Sequence, residues 1–196
     1  MKVLPEELFQ NGQRKYLTPT ERDSFLAAAQ QAEREVRTFC CVLAFTGCRL
    51  SEAVELTADR VDLAGGVIVL ESLKKRRRGI YRAVPVPPWL LDDLDLVHGI
   101  RKAQKAKNGG RGTKLWNWSD TTAWRRVKQV MQQARLTNPA SATPKGLRHA
   151  FGVLAVSKGI PLNKVQQWLG HTDLKTTAIY ADAQGEEEQI IASRMW

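Results

Sequence analysis

Cysteine is scarce in this chain of 196 residues: there are three, an odd number, at positions 40, 41 and 48. They form no CxxC pair and have no histidine partner nearby, so neither a disulfide framework nor a zinc site is supported, and a reducing, cytoplasmic setting is expected. The three read as small buried hydrophobes on a core helix. No apolar run approaches the ~20 residues of a spanning helix, and the amino terminus lacks a secretory pattern. A soluble protein without a membrane partner is therefore expected. The chain has no internal repeat, and its 43% hydrophobic content suffices for one domain with a short appendage. Acidic residues are outnumbered, twenty against thirty Lys and Arg, which leaves a net charge of +10. This excess points to a polyanionic partner, with nucleic acid the leading reading.

What is present reads as mostly helix with one alternating stretch. Thr18-Pro19-Thr20-Glu21 is a capping box with proline at the first helical position, so a helix starts there. Residues 1–17 read as a tether. Arg37 to Phe45 is a buried helix meeting the Thr46-Gly47 turn, and a second helix opens near Arg49. The period then switches to alternation: Val61 and Leu63, a Gly65-Gly66 turn, Val67 to Leu73, a basic tip, and Ile80 to Val86. This predicts a three-stranded antiparallel sheet in an α+β, mostly helical fold. Helical patterning resumes at Trp89 and is interrupted by Lys105 to Thr113, which reads as a mobile basic loop. Further helices are expected over Asp120 to Arg135, Lys145 to Lys158 and Leu162 to Leu169.

The residues with chemistry to offer cluster in the last third. Lys145, Arg148, His149, His171 and Tyr180 supply cations, imidazoles and a phenol, and Arg49 adds a cation upstream. Phosphodiester chemistry uses that set: cations offset charge in the transition state, an imidazole or amine moves protons, and a phenolic oxygen can hold phosphate covalently. Arg49 and Arg148 both stand in apolar surroundings, where an uncompensated cation is costly and a bound phosphate would compensate it. Adjacent helix positions point about 100° apart, so Arg148 and His149 do not easily face one phosphate, and His149 reads as structural.

Thr46 to Glu52, Lys145 to His149, Leu169-Gly170-His171 and, nine residues after that histidine, Tyr180 match four sequence boxes in order and spacing. On these motifs the chain resembles the catalytic domain of the tyrosine recombinase, or phage integrase, family over about residues 18 to 185. The resemblance implies a site-specific recombinase that cuts and rejoins double-stranded DNA through a 3′-phosphotyrosyl intermediate, with no metal or nucleotide cofactor. It assigns Tyr180 as nucleophile and Arg49, Arg148 and His171 as ligands of the scissile phosphate. It assigns a hairpin lysine, Lys74 with Lys75 as the alternative, as general acid. The rest of that tip, Lys75, Arg76, Arg77 and Arg78, reads as contacting DNA backbone. The second box usually opens with histidine. Here it opens with Lys145, which suits phosphate stabilisation, since an ammonium donates hydrogen bonds and becomes a base only in surroundings that depress its proton affinity.

The resemblance further implies a homo-oligomer on DNA, a tetrameric synapse, with residues 186–196 exchanged between protomers. Ile190, Ile191, Met195 and Trp196 make that tail apolar enough to dock. The family's amino-terminal DNA-clasping domain has no counterpart in the residues before position 18. Two other readings use the same residues: a type IB topoisomerase, and a DNA-binding regulator with a residual active site.

Overall fold

The structure, a computed structural model, describes residues 6, 8–73, 79–182 and 192–193. The expected tip residues Lys74 to Arg78 and most of the carboxy-terminal tail lie outside the described residues. Over what is described, the chain is mostly helical with a small three-stranded antiparallel sheet.

Helix α1 (Pro19–Gln30) starts on the capping box read from the sequence: Thr18 Oγ1 accepts from Glu21 N–H, and Glu21 Oε2 accepts from Thr18 N–H at 2.8 Å. It packs on α2 (Arg34–Thr46), whose apolar run is buried almost throughout, Cys40 and Cys41 included. Gly47 ends α2 in the left-handed conformation, φ 60°, and a short helix α3 (Leu50–Val54) follows at once.

Strands β3 (Val61–Asp62), β4 (Val67–Glu71) and β5 (Tyr81–Pro85) form the sheet in sequence order, the strand numbers allowing for an earlier hairpin. Ile68 lies opposite Val61 and Val84, so alternation turns Ile68, Leu70 and Val84 into the core. Helices α4 (Pro88–His98) and α5 (Ile100–Gln104) come next, split by Gly99 at φ 64°. After them come α6 (Asp120–Gln133), α7 (Pro144–Ser157), α8 (Leu162–Leu169), α9 (Lys175–Ala178) and a 3-10 turn, Ile179–Asp182. Helix α7 packs on α2, α8 and that last turn, which makes it the axis of the carboxy-terminal half.

Two segments are more ordered than the sequence reading expected. Residues 8–17 are not a loose tether: strands β1 (Phe9–Gln10) and β2 (Gln13–Arg14) form a hairpin that sinks Leu8, Tyr16 and Leu17 into the core. Asn11 and Gly12, at φ 50° and 74°, make its two-residue turn. The Lys105 to Thr113 loop is also tied down. Ala58 N–H donates to Thr113 O, Leu115 N–H donates to Leu56 O, and Gly110 approaches Ala58 closely. None of the described helices is long and apolar enough to cross a membrane.

Candidate active site

Five of the expected site residues, Arg49, Lys145, Arg148, His171 and Tyr180, line one cleft of about 480 Å³, together with Cys48 and His149. They come from segments far apart in sequence, brought together by α7. Lys74, Lys75, Arg76, Arg77 and Arg78 lie outside the described residues.

Arg49 caps α3, and its company is acidic: its backbone N–H donates to Glu52 Oε2 and its Nη1 to Glu52 Oε1, at 2.9 and 2.8 Å. Glu52 is itself fully buried and also accepts from Arg82 Nη2 at 2.6 Å. Burial pushes the Glu52 carboxyl up, but the bond and charge of Arg82, with those of Arg49, outweigh it and hold the group below the ordinary carboxylate range. Arg82, on β5, is equally buried. Its Nε donates to Trp168 O at 2.7 Å, so one guanidinium ties the sheet, the first arginine box and the end of α8. Sequence reasoning missed this residue; the signal was an arginine at an inward position of an alternating strand.

Arg148 makes no ion pair with a carboxylate among the described residues. Its Nη1 donates to Gly47 O and its Nη2 to Leu169 O, both at 2.8 Å, which are carbonyls at the carboxy-terminal ends of α2 and α8. The internal compensation expected from a phosphate is thus supplied in part by backbone, with the negative ends of two helices facing the cation. These bonds engage two of the five N–H groups of a guanidinium. Burial, then the nearby Arg49, lowers the Arg148 pKa to about 10.

Tyr180 is buried, with its ring laid across α7. A Cβ on Gly152 would stand 2.6 Å from that ring, so only glycine leaves room there. His171 stacks on the phenol at 19° between ring planes, and its Nδ1 lies 2.9 Å from Thr177 Oγ1. His149 Nδ1 is 3.2 Å from Tyr180 Oη. The 100° argument is obeyed, since Arg148 turns to the helix ends while His149 turns to the phenol. Read from sequence as structural, His149 also lines the cleft and meets the phenol oxygen. Burial raises the Tyr180 pKa, opposed by the charges of Arg148 and Arg49. Burial, then Lys145, Arg148 and Lys15, lowers that of His149 to about 4, so the imidazole is neutral at physiological pH.

Such a cleft offers concentrated positive charge around a protonated phenol with a neutral imidazole at its oxygen, which suits attack on a bound phosphodiester. The model of the phage integrase family matches residues 15–187. The chain is 30% identical over 186 residues to the tyrosine recombinase XerD of Pseudomonas aeruginosa, covering 91% of this chain and 58% of that protein. It is 29% identical over 168 residues to the tyrosine recombinase XerA of Thermococcus kodakarensis, covering 85% and 57%. The chain thus spans little more than half the length of these curated relatives. Among solved structures, that of XerA recombinase aligns with a TM-score of 0.75 at 24% identity, over 92% of this chain and 64% of that one. The pre-cleavage complex of XerH site-specific recombinase with its difH substrate gives 0.70 at 23%, over 95% and 56%.

Proposed function

This chain belongs to the phage integrase family of tyrosine recombinases, and from that membership we propose that it breaks and rejoins DNA strands through a covalent bond between Tyr180 and a strand phosphate. The observation that carries the reading is the convergence of Arg49, Lys145, Arg148, His171 and Tyr180 on one cleft. Tyr180 Oη attacks phosphorus, the bond to the 5′-oxygen breaks, and a 3′-phosphotyrosyl ester keeps the energy of the broken linkage. A 5′-hydroxyl of the same or another strand reverses the step. Arg148 and Arg49 neutralise the non-bridging oxygens as charge grows on them, helped by Lys145 and His171. Lys74 is the lysine we assign to protonating the leaving 5′-oxygen.

DNA is the partner that fits a net charge of +10 with this cleft, and we place the working form in an assembly of copies on DNA, a tetrameric synapse. The reading is tested on duplexes carrying one nick and randomised flanks, scored for protein–DNA adducts that survive denaturant. Adducts formed by the parent and lost in Tyr180→Phe, with DNA binding retained, are expected. An adduct that survives Tyr180→Phe overturns the nucleophile, and a parent that binds DNA without adducts favours the regulator reading. Deleting residues 188–196 and sedimenting the DNA-bound protein tests exchange of the tail; an unchanged assembly speaks against it.

A further inference from the structure

Attack by a phenol requires that its proton go somewhere, and the second box here opens with a lysine where the family usually has histidine. Two imidazoles reach Tyr180, and they do so differently. His171 lies nearly parallel to the ring with its centroid 6.2 Å away, and its Nδ1 is 2.9 Å from Thr177 Oγ1. His149 meets the reacting oxygen itself, Nδ1 to Oη at 3.2 Å, with the two rings tilted by 55°. Gly152, one turn further along α7, seats the phenol ring by having no Cβ, so positions 149 and 152 together fix where the hydroxyl lies.

We propose that His149 is a catalytic residue of this chain, the base that takes the Tyr180 proton as the phenolic oxygen attacks phosphorus. The proposal rests on the reading of Tyr180 as nucleophile. In the step, the Tyr180 O–H bond breaks and its proton passes to His149 Nδ1, the O–P bond forms, and the bond from phosphorus to the 5′-oxygen breaks. The leaving oxygen takes a proton from a cationic donor of the cleft or from water. On rejoining, the imidazolium returns the proton to Tyr180 as phosphorus leaves it.

Three features favour this assignment. Tyr180 Oη is the one hydrogen-bond partner of the His149 ring among the described residues, since Nε2 is buried without one; Nδ1 accepts from the phenol when the ring hydrogen sits on Nε2 and donates to it in the other tautomer. Burial, then the charges of Lys145, Arg148 and Lys15, holds it neutral, ready to accept rather than already protonated. Entry of a phosphodiester, whose charge grows in the transition state, offsets those cations and strengthens the base during the step that needs it.

The test uses a nicked duplex recovered by adduct capture, with single-turnover cleavage, DNA affinity and circular dichroism measured for each variant. His149→Asn puts a non-basic hydrogen-bond acceptor near the place of Nδ1, and His149→Ala opens space for added imidazole. Both should bind DNA as the parent does and cleave about 10² to 10⁴-fold more slowly. Imidazole should restore the His149→Ala rate in proportion to its free-base concentration and leave Tyr180→Phe inactive. Cleavage by His149→Asn within threefold of the parent overturns the proposal, as does a folded, DNA-binding His149→Ala whose loss imidazole does not restore. A parent without Tyr180-dependent adducts would instead remove the reading beneath it.

Discussion

Arg82 belongs to none of the four sequence boxes, yet it holds one side of the cleft in place. Removing it leaves the Glu52 carboxylate buried with Arg49 as its remaining cation, and breaking a buried pair commonly destabilises by about 3–5 kcal/mol. Arg82→Met should therefore lower the unfolding free energy measured in urea by that much, and Arg82→Met combined with Glu52→Gln should lose less than the sum of the two single changes. Arg49 and Arg148 answer to a different measurement: alanine at either should slow cleavage by orders of magnitude, each lost donor removing about 2.7–4 kcal/mol of transition-state stabilisation. Lys145→His should stay active, and a folded, DNA-binding histidine variant that cannot cleave would show the lysine to be irreplaceable. His149 also sets a pH dependence. The folded protein holds it neutral down to about pH 4, whereas the unfolded chain protonates it near 6.5. Unfolding takes up a proton between those values, so this contribution is complete above pH 6.5 and lost as pH falls toward 4, up to about 3 kcal/mol in all. Urea titrations of the parent and His149→Asn at pH 7 and pH 4.5 should converge at the lower pH.

At the scale of elements, helix α7 decides the geometry because it presents Lys145, Arg148, His149 and Gly152 in little more than two turns. Gly152→Ala puts a methyl group into the Tyr180 ring, so the ring must move off the helix. The expected outcome is a folded protein whose tyrosine fluorescence and cleavage rate both change while DNA affinity holds. Helix α1 gives a simpler prediction: Thr18→Ala removes a capping box and should cost about 1 kcal/mol in urea unfolding without touching cleavage on captured duplexes. The elements that could be read from sequence are those with local signals: the capping box at Thr18, the switch from helical to alternating period at Val61, and Gly170 ending α8. The amino-terminal hairpin also carried a local signal, Asn11-Gly12 between short strands, but strands of two residues are too brief for alternation to register. Arg82 carried only a weak one, an arginine at an inward position of an alternating strand, and the contact between His149 and Tyr180 had none, because each joins residues tens of positions apart and follows from packing rather than spacing.

For the whole molecule, the excess of ten positive charges predicts that the proposed DNA affinity is a function of salt. The logarithm of the binding constant should fall linearly with that of salt concentration, with a slope of about 0.9 for every phosphate neutralised. Anisotropy titrations on a duplex between 50 and 200 mM salt read that slope directly, and Lys145→Ala should shallow it if Lys145 meets a phosphate. A last consequence comes from Arg148, whose hydrogen-bond partners among the described residues are the ends of two helices. Carbonyl dipoles bond to a guanidinium without cancelling its charge, so an incoming oxyanion is a partner that would neutralise this buried cation. Ligand affinity and thermal resistance are then one quantity seen from two sides: sulfate or phosphate should raise the melting temperature with a saturable dependence on its concentration, by mass action on the folded state. In Arg148→Met that saturable rise should vanish, leaving only the shallow, unsaturating effect such salts have on any folded chain.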